Sequence, residues 1–366
     1  PWWQPSTDPA LDPTFAVGRR GARAFITAKG KIMTEAKRLH LSDEEVKLLI
    51  EKAKRERELM DDVAILPLHK KDWLDKVSHT AQVGGIETSV LDNGLGRGSR
   101  IAWINTGAGL RFKVLLDRAM DIADASFNQY NLSWISRLGV TPPQPLSDRG
   151  VDWLRTFGGG LLVTCGLTHV GGPEEDEFGR RGLHDQISNT PAEIIQIKQP
   201  DLISGDREMF ITGIIKQGHP LGTNIELKRT IRCTLGEPTL HIVDEIINVG
   251  NLDTPHMILY HFNFGWPLID EGTALLWEGA WTAREQGEAN KIFKEGQAFK
   301  VCQAPRDDHK GSGEEAAFID IAADEQHKSH CAIYNENLGL ALGLSFDKRQ
   351  LPWLTNWQHW GKGEYV

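Results

Sequence analysis

The chain lacks the cysteine pairs that mark a metal ribbon or a redox centre. Its four cysteines, Cys165, Cys233, Cys302 and Cys331, are widely spaced and form no C-x-x-C. That spacing excludes zinc-ribbon and thioredoxin-type motifs and fits reduced, buried thiols in a cytoplasmic protein. No apolar run approaches the ~18 residues of a membrane span, and the N-terminus carries no apolar core of a secretory signal. Without such a signal the sequon at Asn131-Leu132-Ser133 is read as chance. A basic surplus is also missing: the formal net charge is −9, which argues against a nucleic-acid partner. There is no G-x-S-x-G elbow, and no cysteine has a base nearby in sequence, so nucleophilic hydrolysis has no support. Histidines never recur at H-x-H or H-x-x-x-H spacing, so His184 and His261 are not expected to hold a metal.

What is present reads as mainly β. At 366 residues the chain can bury a large core. Residues 1–32 have neither helical nor strand periodicity and read as a disordered leader or a non-native segment. Residues 33–83 read as a helical preface, in which Ser42 and Glu45 form a capping box ahead of Val46, Leu49 and Ile50. From about residue 84 short strand patterns follow one another: 86–90, 100–105, 110–116, 131–136, 160–165, 192–198, 209–215, 225–234, 240–248 and 257–264. After a charged, loop-rich stretch at 282–315 come 317–322, 331–335 and 338–346. No helical pattern separates them, so the expected architecture is one large domain of antiparallel sheets over 84–366.

The most informative stretch is Thr239 to Pro267. In its second strand Ile258, Tyr260, Phe262, Phe264 and Trp266 alternate onto a core face. Met257, Leu259, His261, Asn263 and Gly265 take the other. An imidazole and an amide two residues apart suit a small polar ligand lying on a sheet. Elsewhere Arg118 and Asp121 flank a strand start, and are read either as a satisfied ion pair or as partners for hydroxyl groups. Arg155 precedes the glycines of FGGG (157–160), where a ligand or another strand can approach the backbone closely. His184 lies in a loop dense in hydrogen-bonding groups. The glycines of GLGRGSR (94–100) fit a hairpin turn better than a phosphate loop.

Taken in order, LDRAMDIADASF, RTFGGGLLVTCGL, GLHDQISNTPAE and NVGNLDTPHMILYHFNFGWPL resemble the aldose 1-epimerase-like (galactose mutarotase-like) superfamily, and within it an uncharacterised bacterial subgroup. The resemblance covers roughly residues 84 to 366. It implies a β-supersandwich with a sugar on a concave sheet face, no cofactor, and interconversion of anomers by acid/base ring opening. The Y-H-F-N-F stretch matches the family's acid at His261, with Asn263 beside it. Leu183-His184 matches the second family histidine, although Asp185 stands where the family has glycine. Arg155 matches an arginine that holds sugar hydroxyls, and Arg118, Asp121 and Asn263 join it as expected sugar contacts. The family's base is a glutamate close to the C-terminus. This sequence stops at GKGEYV, where Glu364 precedes the expected place, so the base is expected beyond Val366 and the chain to be C-terminally incomplete. Two further readings stand beside the epimerase: a carbohydrate-binding protein without turnover, and another cofactor-free sugar isomerase.

Overall fold

The computed structural model describes residues 10–11, 14–19, 75–145, 149–285 and 287–366. The N-terminal helix expected around Ser42 and Glu45 lies outside the described residues. Within 75–366 the chain is built of antiparallel strands linked by turns and short 3-10 turns. Among the described residues no helix is long and apolar enough to cross a membrane.

Two sheets carry the fold. A seven-stranded sheet runs in the order Met257–Phe262, Leu162–Leu167, Asp121–Phe127, Leu110–Leu115, Arg100–Asn105 and Gly85–Val90, with the short Tyr130–Asn131 at its side. A nine-stranded sheet is built on the long hairpins of Ala192–Lys198, Glu208–Gly218, Asn224–Thr234 and Thr239–Asn248. It continues through Thr14–Arg19, Leu340–Asp347, Lys328–Asn335 and Ala274–Leu276. Their inner faces form one core. Phe112, Val114 and Ile122 of the smaller sheet meet Ile211, Leu227, Ile231 and Leu342 of the larger, and all are buried. Each such side chain contributes on the order of 1.5–3 kcal/mol. A third sheet of Gly279–Ala283, Glu315–Ile321 and Leu354–Gln358 packs beside them.

The period-2 reading locates most strands, two of them (100–105 and 192–198) with the same ends. Three differences matter. First, Ala10–Leu11 and Thr14–Arg19, inside the segment read as a leader, pair with Thr239–Asn248, and the second pairs also with Leu340–Asp347. Main-chain pairing needs free N–H and C=O groups, not an alternating side-chain pattern. Second, 131–136 is not a full strand; it makes only the Tyr130–Asn131 pair and isolated bridges from Ser133 and Ile135. Third, Met257–Phe262 ends before the alternation does. Beyond it, Trp134 N–H donates to Asn263 O at 2.9 Å and Gly265 N–H to Leu132 O at 3.1 Å. The 131–135 segment therefore covers the face on which a ligand was expected beside Gly265. A Cβ at Gly265 would sit 2.5 Å from Ser133 O. Trp266, expected in the core, is 68% exposed because the strand has already ended.

Beneath the smaller sheet lies a buried ionic network that joins it to the larger one. Arg229 and Asp244 pair across the Asn224–Thr234/Thr239–Asn248 hairpin. Arg229 Nε donates to Asp244 Oδ1 at 2.9 Å and Nη2 to Oδ2 at 2.6 Å. Its Nη1 reaches the other sheet, donating to Thr164 Oγ1 at 2.7 Å and Asp121 Oδ1 at 3.4 Å. Tyr260 completes it, donating to Asp244 Oδ2 at 2.8 Å. Burial disfavours the Arg229 charge, but Asp244 outweighs that effect and raises its pKa.

Candidate functional site

His261 stands on the outer face of the smaller sheet, opposite Val163. Its strand is fixed there by the other face, where Ile258, Tyr260 and Phe262 pack on the core. Aromatic rings surround the imidazole. Phe157 lies 5.7 Å away and Trp357 5.9 Å, both edge-on, with Trp153 at 6.4 Å and the His184 ring at 6.0 Å. Trp153 and Phe157 come from the segment around the 3-10 turn Asp152–Arg155 and stack on each other at 4.5 Å. Trp153 Nε1 donates to Ser188 Oγ at 3.0 Å, which holds the wall upright. Trp357 comes from the third sheet.

His184 is brought in by a strained loop. Both His184 and Asp185 have left-handed backbones, with φ of 57° and 58°, a conformation costly for residues with a Cβ. The Asp185 carboxylate offsets that cost. It accepts from Thr168 N at 3.1 Å, Thr168 Oγ1 at 2.6 Å and Gln217 Nε2 at 2.7 Å. Asp185 thus holds this turn through its side chain. Gly171 N–H donates to His184 Nδ1 at 3.2 Å. That bond assigns the neutral tautomer with hydrogen on Nε2, the nitrogen left to meet a ligand.

Both imidazoles are held neutral. Burial pushes His184 down to about 3, helped by repulsion from His261 and His169. Burial likewise pushes His261 down to about 4, against the raising influence of the Asn263 side chain. His261 Nδ1 and Asn263 Oδ1 are each buried without completing a hydrogen bond. They are a complementary donor and acceptor, which favours hydrogen on Nδ1 and leaves the Nε2 lone pair outward. The two rings therefore present opposite chemistry, an N–H from His184 and a lone pair from His261. Because burial sets the low value, removing one wall should relax it. In Trp357→Ala the His261 pKa is expected to rise by about one unit toward 6.5, as read by NMR titration of the imidazole protons. An unchanged value would mean that Trp357 does not exclude water from the ring.

The other sequence candidates divide. Asp121 and Arg118 line a cavity of about 220 Å³ on the same outer face, together with Thr141, Gly159 and Val163. Val163 also pairs with His261, so cavity and imidazole share one floor. Arg118 spans three segments, donating from Nε to Ser188 O at 2.7 Å and from Nη1 to Thr141 Oγ1 at 2.5 Å and Thr156 O at 2.8 Å. Burial lowers its pKa to about 10, so it keeps its charge at neutrality. Asp121 Oδ1 accepts from Thr164 N at 2.9 Å and Thr164 Oγ1 at 2.6 Å. Its ion-pair partner is Arg229, at 3.4 Å, and not Arg118, whose guanidinium is taken up by Ser188, Thr141 and Thr156. Asn263 is fully buried and donates to Gly160 O at 3.0 Å and His261 O at 3.1 Å. It braces the strand end instead of facing a ligand. Arg155 is not brought into the group; its side chain is 82% exposed and pairs with Asp152 at 3.0 Å on the turn's outer side. The glycines beside it serve strand contact: a Cβ at Gly159 or Gly160 would meet Trp134 O or Ile122 O, each at 2.6 Å.

Reading the residues alone passed over the aromatic wall and Arg229. Two signals were available. The C-terminal LTNWQHW packs two tryptophans and a histidine into one short stretch. In the long hairpin, Arg229 and Asp244 interrupt the apolar alternations Ile225-Leu227-x-Ile231 and Leu240-Ile242-x-Ile246 at paired positions. Among the described residues no group of three His, Cys, Asp or Glu side chains gathers as metal ligands.

A solved structure of a provisionally named aldose 1-epimerase from Klebsiella pneumoniae subsp. pneumoniae MGH 78578 matches 80% of this chain and 74% of its own, with 25% identity and a TM-score of 0.65. Galactose 1-epimerase from Lactobacillus acidophilus NCFM overlaps more weakly, with 11% identity and a TM-score of 0.42 over 75% of this chain and 99% of its own. No curated protein matches the chain. The fold is thus aldose 1-epimerase-like, a mainly β sandwich of antiparallel sheets. Since a family model spans residues 96–366 and so includes the histidines, the aromatic wall and the Arg118–Asp121 cavity, the chain belongs to the family described as a domain of unknown function, DUF4432.

Proposed function

We propose that this protein binds a small sugar on the outer face of the smaller sheet and interconverts its anomers by cofactor-free acid/base ring opening. The observation that carries this reading is the facing pair His184 and His261, 6.0 Å apart within aromatic walls. Their outward nitrogens differ in hydrogen-bonding character. Aromatic faces suit the apolar faces of a sugar ring, while Arg118 and Asp121 offer a donor fork and an acceptor for hydroxyls in the adjoining cavity. His184 Nε2–H would hold a hydroxyl oxygen of the sugar. His261 Nε2 would exchange a proton with the ring oxygen.

A second reading, sugar binding without turnover, is favoured by one observation. With a pKa of about 4, His261 carries no proton to donate at neutrality. The deciding experiment follows pure α-anomers of common aldoses by polarimetry or saturation-transfer NMR, alongside calorimetry of the same sugars. Exchange above the spontaneous rate is expected. Heat of binding with no exchange would leave the binder, and neither binding nor exchange would sink both readings.

A further inference from the structure

We propose that Asp121 is the catalytic partner of His261, the two sharing one proton across a sugar ring that lies on Val163. This rests on the epimerase reading above.

Sheet register carries the inference. Val163 pairs with His261 on one side. On the other, Ile122 pairs with Leu162, which brings Asp121 beside Val163. Two strand spacings of ~4.8 Å put the Asp121 and His261 backbones ~10 Å apart. Side chains on one face of a sheet stand roughly perpendicular to it, so the two groups lie about that far apart, close to the upper end of the ~5–9.5 Å range in which acid and base groups flank a sugar in glycosidases. Val163 is the floor between them, and Asp121 lines the cavity above that floor. The carboxylate is anchored through Oδ1 to Thr164 and Arg229. Among the described residues its Oδ2 takes no hydrogen bond and is left for a ligand.

The charges around Asp121 support a proton-carrying role. Arg229 and Arg118 both favour its anion, but burial outweighs them and holds the carboxyl at about 6. The buried Cys165 thiol also lies in its field. Lys113 and Asp124, which line the same cavity, pair with each other at 3.6 Å.

The step balances within the pair. With the shared proton on His261, the Asp121 carboxylate removes the proton of the anomeric hydroxyl. The freed pair on O1 forms the carbonyl, the C1–O5 bond breaks toward O5, and O5 takes the proton from His261 Nε2. The pair still holds one proton, now on Asp121. After rotation about C1–C2, O5–H adds to the other face of C1 and returns its proton to His261. The carbonyl oxygen takes the proton of Asp121.

In the free protein this one-proton state predominates between about 4 and about 6. Accordingly kcat/KM should peak in that window and fall tenfold per pH unit above it, as the shared proton is lost. The test uses the full chain and an anomer that the wild type turns over. Asp121→Asn keeps an oxygen to accept from Thr164 and Arg229 but cannot carry the proton. Its kcat should drop ~100-fold or more while KM stays within about threefold, and the limb near pH 6 should vanish. Asp121→Ala should regain activity with added formate, which leaves the wild type unaffected. If Asp121→Asn does not fold, the wild-type profile and the formate response still decide. A wild-type profile flat from about pH 5 to 8, absence of formate rescue, or Asp121→Asn keeping a third of wild-type kcat would overturn the pair and leave the epimerase reading standing. A wild type that exchanges no anomer would remove the epimerase reading itself, and the pair with it.

Discussion

His261→Asn is expected to slow anomer exchange by ~10²–10⁴-fold while sugar affinity changes by no more than about threefold. Asparagine fills much of the imidazole's place and keeps a polar atom beside the Phe157 and Trp357 rings, so the walls need not collapse. What it removes is the capacity to take up and return a proton. His184→Asn should behave differently. His184 offers a hydrogen bond from a nitrogen whose tautomer is set by Gly171 N–H, so its loss should weaken ground-state and transition-state binding alike. That appears as a higher KM with kcat changed less. Initial rates by polarimetry over a range of sugar concentrations separate the two patterns. A His261→Asn protein that exchanges anomers at the wild-type rate would remove His261 from the chemistry.

Arg229→Met should destabilise the fold by ~3–5 kcal/mol, measured by urea unfolding with the midpoint and slope followed together. Methionine matches much of the side-chain length. Nevertheless it leaves the fully buried Asp244 without its bidentate partner, and takes from Asp121 the cation on its inner side. The cost is that of stranded carboxylates more than of a lost attraction. For that reason Arg229→Met combined with Asp244→Leu should recover most of the loss, with coupling well beyond the ~0.5 kcal/mol scatter of independent sites. A double variant as unstable as the sum of its singles would show that Arg229 stabilises through packing instead. Stability and site are linked here, because the guanidinium that joins the sheets also bonds Asp121 Oδ1.

The sheets were legible in the sequence because alternation records which face is buried, and that alternation is strong in Asn224–Thr234 and in Thr239–Asn248. Strand ends were not, since main-chain pairing stops for reasons that side chains do not report. The alternation from Ile258 to Trp266 runs four residues past the end of the strand at Phe262. Of the site, the meeting of His184 with His261 was implied by the resemblance and is what the fold brings about. Arg155 was misplaced for a local reason. A carboxylate three residues earlier, Asp152, holds it on the outside of a 3-10 turn. Trp357 was invisible to motif reasoning because its role depends on a third sheet coming to rest against the histidines.

That third sheet has a kinetic meaning. His261, Trp153 and Trp357 are far apart along the chain, and the contacts among their rings close long loops. Such contacts cost chain entropy before they return any stabilisation, so they belong to the slow end of folding. Much of the far-UV dichroism comes from hairpins that need only near neighbours, such as those within 85–127 and 192–248. The tryptophan environment around His261 needs most of the chain in place. During refolding from urea, the proposed anomer exchange and quenching of Trp153 and Trp357 should therefore return together, in a phase slower than the bulk of the sheet signal.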